Sequence, residues 1–227
     1  LKLDTLYLWE APAPGDCAFQ MALDETIFHF SHETGLPVIR FYHWTKPALT
    51  FGYSEPYPED SSIPAIRRYT GGGQVEHGED LTFLLTLPRE TDLARIQIDL
   101  RYRWIHESIR DALRSAKVKL SLAEDTSNPA TGPCFENPVA SDLMDGINGT
   151  KIGGGAQRRS RGSVIHQGSI RIPSFLREDH TAWSGPFLNQ LAKKVAPFPE
   201  EKQKALLEEA SRLAVSRYRS PDWNHRR

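Results

Sequence analysis

Cysteine is scarce in this chain: 227 residues carry two, Cys17 and Cys134. Two thiols so far apart in sequence make no disulfide framework, and a reducing cytosol is the compartment they fit. No His/Cys cluster surrounds them, so no metal is expected. Long apolar runs are missing as well. No stretch reaches the roughly 18 residues of a membrane span. Residues 1–15 lack a basic start followed by a long apolar stretch, so no secretion signal is expected. Net charge is nearly absent too: 28 Lys and Arg against 29 Asp and Glu leave −1. That balance gives no electrostatic footprint for nucleic acid. The expectation is a cytoplasmic protein with neither nucleic acid nor membrane as partner. The chain opens on Leu1 and not on methionine, so native residues upstream are expected.

What is present is enough apolar material for a core, 39% of the residues. The length suits one large domain, or one with a small appendage. Basic residues cluster locally at Arg67–Arg68, at Arg158, Arg159 and Arg161, and at Arg217, Arg219, Arg226 and Arg227. Such clusters are solvated faces or docking points for acidic partners.

Hydrophobic periodicity predicts the elements. Residues 5–10 read as a strand. Asp16 is the expected N-cap of a helix over 17–31, with Phe19, Leu23, Ile27 and Phe30 on one stripe and Gly35 as its stop. Strands are expected over 38–42, 48–53, 65–69 and 81–87. The clearest helix covers 95–116, with Ile98, Tyr102, Ile105, Ile109 and Leu113 on one face. A strand over 117–122 and a long loop over 123–138 follow, and loops of that length are often functional. Asn148–Gly149 is a hairpin signal between 143–147 and 151–154. Strands over 156–159 and 164–172 turn at Arg161–Gly162, and a polar helix covers 200–218. Strands in hairpin-spaced groups mixed with helices predict an α+β fold with a largely antiparallel or mixed sheet. Residues 1–175 are expected to form the catalytic domain, and 176–227 a helical extension of it.

Three segments carry chemistry. In Arg67-Arg68-Tyr69-Thr70-Gly71-Gly72-Gly73-Gln74-Val75-Glu76-His77, three glycines between strands let backbone N–H groups approach a carbonyl, carboxylate or phosphate. The spacing fits neither a dinucleotide fingerprint nor a P-loop. In Lys151-Ile152-Gly153-Gly154-Gly155-Ala156-Gln157, glycines inside a strand mark close approach of a ligand or backbone, and the lysine can set an ammonium on the same ligand. Cys134, in the long loop, becomes a nucleophile if cations such as Lys151, Arg158, His77 or His166 favour its thiolate, and is otherwise an inert buried thiol.

Taken together these segments resemble the lipoate–protein ligase and octanoyltransferase family, which shares its catalytic fold with biotin–protein ligases. Arg67 to His77 is similar to the family's R-R-x-[ST]-G-G-G-x-V-x-H, and Lys151 to Gln157 to its K-I-x-G-x-A-Q. His166-Gln167-Gly168-Ser169 resembles the stretch that follows, Met21-Ala22-Leu23-Asp24-Glu25 the N-terminal helix motif, and Arg40 to Gly52 the strand pair R-x-Y-x-W-x-x-P-x-x-x-x-G. The likeness runs from about residue 16 to 172 with spacing kept. Two positions depart from it: Gly155 stands where many members have Ser or Thr, and His166-Gln167 reverses the usual order.

The resemblance implies a site with Cys134 and Lys151 as catalytic residues. It implies substrate binding by Arg68, Thr70, Gly71, Gly72, Gly73, His77, Asp142, Gly153, Gly154, Ala156, Gln157, His166 and Gly168. Cys134-Phe135-Glu136-Asn137-Pro138-Val139-Ala140-Ser141-Asp142-Leu143 fits the C-F-x-x-P-x-x-x-[DE]-L context of the cysteine-dependent octanoyltransferases. These take octanoate from acyl carrier protein, need no cofactor, and pass it to a lysine of a lipoyl-domain protein, such as the glycine-cleavage H protein or the E2 subunit of a 2-oxoacid dehydrogenase. The alternative in the family is a ligase using ATP and Mg²⁺ to form lipoyl-adenylate. A non-catalytic acyl- or carrier-binding homologue is the third reading. A biotin ligase is disfavoured because its Gly-Arg-Gly-Arg type loop is absent.

Overall fold

The computed structural model describes residues 1–10, 15–124 and 138–226. In chain order the elements are β1 (Leu3–Trp9), α1 (Cys17–Thr34), β2 (Val38–Tyr42), β3 (Ala48–Phe51), β4 (Ala65–Arg67), β5 (Val75–His77) and β6 (Leu81–Leu87). Next come α2 (Asp92–Arg95), α3 (Ile98–Ser115), β7 (Leu120–Leu122), β8 (Leu143–Asp145), β9 (Lys151–Ser160) and β10 (Ser163–Ile170). The last part holds α4 (Ser174–Glu178), α5 (Thr181–Leu191), β11 (Ala192–Pro197), α6 (Glu200–Leu213), a π-helical turn (Ala214–Tyr218) and α7 (Pro221–Asn224).

Eight strands form one sheet in the order β11-β1-β2-β6-β10-β9-β8-β7, and β4-β3-β5 form a second, small sheet. β11, β1 and β2 run parallel, and the large sheet is antiparallel from β2 onward. The expected α+β class with a mixed, largely antiparallel sheet is what forms.

The sequence of β6, Leu-Thr-Phe-Leu-Leu-Thr-Leu, is buried throughout. Helices explain this by covering both sheet faces. Phe83, Leu85 and Leu87 join a cluster with Ile105, Ile109, Trp183 and Phe187 of α3 and α5. Leu84 joins Leu23, Ile27, Leu206 and Ala210 of α1 and α6 on the other side. Thr86, also on that side, donates its hydroxyl to Ser31 of α1 at 2.8 Å.

Helix α1 starts and stops as its sequence dictates. The Asp16 carboxylate accepts the Phe19 N–H at 3.0 Å, and Gly35 takes φ +73° with its N–H on the Ser31 carbonyl. Three expectations are corrected. Lys151–Ser160 is one continuous strand where two were expected, since the glycines do not interrupt its pairing with β10. Ile98 is exposed, and the buried face of α3 includes Arg101 and His106. The segment 176–227 is not purely helical: β11 extends the large sheet by pairing with β1. The primed hairpin turn falls at Arg161–Gly162, where φ is +49° and +87°. At Asn148–Gly149 only the glycine is left-handed. Among the described residues no helix is long and apolar enough to cross a membrane.

Candidate functional site

Strand pairing decides which glycine-segment residues share a face. In the β9–β10 hairpin, Ala156 lies opposite Gln167 and Gly154 opposite Ser169. Directly opposed residues point to the same side of a sheet. The alternate set, Gly153, Gly155 and Gln157 with His166, Gly168 and Ile170, faces the α3–α5 layer. There Phe83 fills the space beside Gly168: a Cβ on that glycine would lie 2.2 Å from its ring.

The first glycine segment is held against this hairpin. Gly72 has φ +82°, and its carbonyl passes so close to Gly52 that a Cβ there would lie 1.8 Å away. Only glycine at both positions lets the two segments cross. Arg68 donates to the carbonyls of Gly71 and Gly73 and to Thr50 Oγ1, each at 2.8 Å. Thr70 donates to Gln167 Oε1 at 2.8 Å, and Gln167 donates to Asp24 Oδ2 of α1 at 2.6 Å. Asp24 also pairs with Arg40 at 3.2 Å and accepts from Tyr42 at 3.0 Å. Burial pushes its carboxyl up, against the pull of Arg40, Gln167 and Tyr42.

A second buried chain begins at His77. Its Nδ1 is 2.7 Å from Asp80 Oδ2, and its Nε2 is 2.7 Å from Thr50 Oγ1. Trp44 stacks on the imidazole at 4.1 Å. Burial lowers the His77 pKa despite Asp80. A neutral ring with its proton on Nδ1 satisfies both contacts, donating to Asp80 and accepting from Thr50. Asp80 accepts further from Ser169 at 2.6 Å and Thr82 at 2.9 Å. Burial alone would raise its pKa, but the hydrogen bonds from His77, Ser169 and the Gly78 N–H hold the carboxyl well below the usual range.

Lys151 opens β9 with its side chain 3% exposed, and its ammonium is 2.6 Å from Asp142 Oδ2. Asp142 also accepts the Val139 N–H at 2.7 Å and the Tyr102 hydroxyl. Removing charge from water is costly unless the partners are well placed, and here they are.

One pocket gathers these residues. Its empty space, counted with the open solvent at its mouth, is about 500 Å³, and its lining is mostly apolar. Of the residues expected at the site, Arg68, Gly72, His77, Lys151, Gly154, Ala156 and Gly168 line it. Thr70, Gly71 and Gly73 carry the contacts that hold the loop, and Asp142 holds Lys151. Gly153, Gln157 and His166 lie on the opposite sheet face and outside the pocket lining. His166 is fully buried there, stacked on Phe83, with Gln157 Nε2 donating to its Nδ1 at 3.1 Å. Burial, with the nearby His106 and Arg101, takes its pKa well below the ordinary value. Cys134 falls outside the described residues. Cys17 is buried at the start of α1, where burial and then Asp16 push its thiol up. Among the described residues no three His, Cys, Asp or Glu side chains could together hold a metal ion.

Sequence reasoning missed Gln167 and Ser169, which line the pocket, and Tyr102 and Asp80, which brace it. The alternation of β10 was the available signal: Gln167 and Ser169 have the opposite parity to His166.

The architecture is that of lipoate protein ligases. A putative lipoate protein ligase from T. acidophilum, solved with bound lipoic acid, superposes with a TM-score of 0.72 at 22% identity, covering 99% of each chain. Residues 16–212 match the model of the lipoyl protein ligase A/B catalytic domain, and the chain belongs to that family. A relative called octanoyltransferase LipM from Bacillus anthracis is 26% identical over 94% of this chain and 96% of its own. The LipM from Bacillus cereus is 31% identical over 72% of this chain, a match that takes in 65% of that protein.

Proposed function

We propose that this chain is an acyltransferase that moves an octanoyl group from acyl carrier protein to the lysine of a lipoyl-domain protein. One observation carries the reading: a buried lysine, Lys151, held from behind by Asp142, stands on the wall of a largely apolar pocket that both glycine segments line. Such a lining suits a saturated chain, each buried methylene contributing ~0.8 kcal/mol. The octanoyltransferase names of the two Bacillus relatives support the same acyl group.

In this mechanism the Cys134 thiolate attacks the donor thioester carbonyl. A new C–S bond forms, and the carrier thiol leaves with a proton. The amine of the acceptor lysine then attacks the octanoyl-cysteine, forming an amide and returning the Cys134 thiol. Lys151 contributes positive charge where the oxyanion develops in both steps. Glycine-cleavage H protein and 2-oxoacid dehydrogenase E2 are the acceptors of fitting chemistry. The cycle needs neither ATP nor Mg²⁺.

Mass spectrometry after mixing the protein with octanoyl-acyl carrier protein, without ATP, tests this. The expected result is one octanoyl group on Cys134, absent from Cys134→Ala. Acceptor labelling only with lipoate and ATP, undiminished in Cys134→Ala, would replace this reading with the ligase.

A further inference from the structure

We infer that Tyr102 of α3 is the positioning residue for Lys151, acting through Asp142. The inference rests on the role given to Lys151 above. The Tyr102 hydroxyl sits at a junction. It donates to Asp142 Oδ1, and it accepts the backbone N–H of Gly155 at 2.9 Å. The other carboxylate oxygen of Asp142 takes the Lys151 ammonium. One phenol therefore ties the lysine's partner to the glycine strand that carries the lysine.

The surroundings leave this junction little freedom. One helical turn beyond Tyr102, His106 is fully buried, and its Nδ1 lies 2.7 Å from the carbonyl of Ser141. Ser141 itself is left-handed, with φ +69°. The Tyr102 and His106 rings meet edge to face, their centroids 4.1 Å apart. Residues four apart on a helix present neighbouring side chains, so α3 offers a two-pronged template. Tyr102 fixes the Asp142 side chain, and His106 fixes the peptide just before it. Across the junction, a Cβ at Gly154 would lie 2.8 Å from Asp142 Oδ1 and 3.0 Å from Lys151 Cε. The ion pair is packed directly on bare glycine backbone.

A further consequence concerns the glycine strand. The Gly155 N–H is committed to Tyr102, so it is not the donor that meets the reacting carbonyl. That task falls to another donor, and the use of Gly155 is to fix the strand's position relative to Asp142. Removing the phenol oxygen leaves the half-buried Gly155 N–H without this partner and removes one of the carboxylate's donors. Lys151 then loses its fixed position without losing its charge.

The test is Tyr102→Phe, which keeps the ring that packs on His106. The octanoyl-transfer kcat should fall about 10- to 100-fold, as expected when a reacting group is displaced by a fraction of an ångström to an ångström. KM for octanoyl-acyl carrier protein should stay within about threefold, because the pocket wall is unchanged. Lys151 should be modified several-fold faster by a small amine-reactive reagent, read by peptide mass spectrometry, with little change at exposed Lys193 and Lys194. Replacing Tyr102 by difluorotyrosine, whose phenol ionises at lower pH, tests the same hydroxyl with the fold intact. Because that variant keeps the hydroxyl, Lys151 labelling should stay close to the wild-type rate. Unchanged Lys151 labelling in Tyr102→Phe, or labelling in the difluorotyrosine protein as fast as in Tyr102→Phe, overturns the inference. Full activity in Lys151→Ala instead overturns the catalytic reading of Lys151, and the labelling rates still decide whether Tyr102 positions it.

Discussion

His166 occupies the space that a side chain at position 155 would need: a Cβ on Gly155 would lie 2.5 Å from the imidazole Nε2. The two residues face each other across the β9–β10 pair next to the Gly155–Gly168 rung, on the side of the sheet away from the pocket. The glycine at 155 and the histidine at 166, both unusual against the motif, are therefore one feature. The ring fills the volume that the missing side chain vacates.

Gly155→Ser should accordingly destabilise the fold by about 1–3 kcal/mol through overpacking. Adding His166→Ala should return part of that loss. The carbonyl of Gln167, 3.0 Å from the same Cβ, cannot move aside as a side chain can. Urea titrations of the four proteins in the double-mutant cycle measure the coupling, expected at about 0.5 kcal/mol or more. Strict additivity would mean that the ring does not exclude the side chain.

Lys151→Ala should lower octanoyl transfer about a hundredfold or more, comparable with losing one oxyanion donor. It should also cost stability, since Asp142 is left charged at 0% side-chain exposure. Lys151→Arg keeps the charge but spreads it over a planar group too large for the packing at Gly154. It should fail as well. Transfer to a lipoyl-domain acceptor, followed by mass, checks both variants, and normal turnover in either would remove Lys151 from the reaction.

Gly154→Ala should reduce acylation far more than it lowers the melting temperature. The added methyl meets Asp142 Oδ1 at 2.8 Å and the Lys151 terminus at 3.0–3.2 Å. The flexible lysine end can give way and the core cannot. A variant that melts several degrees lower while acylating normally would assign this glycine to folding.

Acid should weaken the fold through its buried histidines. Burial holds His106 down to about 4, with His77 and His166 shifted the same way. A histidine with a depressed folded pKa binds its proton more readily in the unfolded chain. Its contribution to stability is complete above the unfolded value near 6.5 and is lost as pH falls from there to about 4. For His106 the loss is on the order of 3 kcal/mol. Chemical denaturation between pH 7 and pH 4 should show this slope, and His106→Gln should flatten it. An equal slope in the variant would place the titration elsewhere.

Much of this was legible in the sequence because local rules decided it. Asp16 and Gly35 delimit α1, and the two glycine runs mark close approach: the Gly72 carbonyl passes against Gly52, and Gly154 lies under the Lys151–Asp142 pair. The rest depended on partners that periodicity cannot see. Arg101 replaces Ile98 on the buried face of α3 because its guanidinium finds the Ile96 carbonyl at 2.9 Å and Gln157 Oε1 at 2.8 Å. Lys193 and Lys194, within the segment expected to be helical, are exposed, yet they lie in the parallel edge strand β11. Gln157 and His166 belong to motifs that look like binding residues, but the parity of an unbroken ten-residue β9 turns Gln157 to the far face, where His166 lies opposite it on β10. That parity was unreadable while β9 was divided in two.

Arg67, the neighbour of the loop-holding Arg68, has its own set of partners. Its guanidinium donates to the carbonyls of Tyr53 and Glu55 on one side and to those of Trp223, Asn224 and Arg226 on the other. Its backbone N–H reaches Asn224 Oδ1 at 2.9 Å. In sequence these partners are more than 150 residues apart. During synthesis, Arg67 therefore lacks one side of its partners until residues 223–226 have emerged. Contacts of such separation pay their loop-closure entropy late and slow the folding of the whole unit. Until then the segment leading into the first glycine run lacks that anchor, and an incompletely docked apolar segment is where a folding chain is most exposed to aggregation.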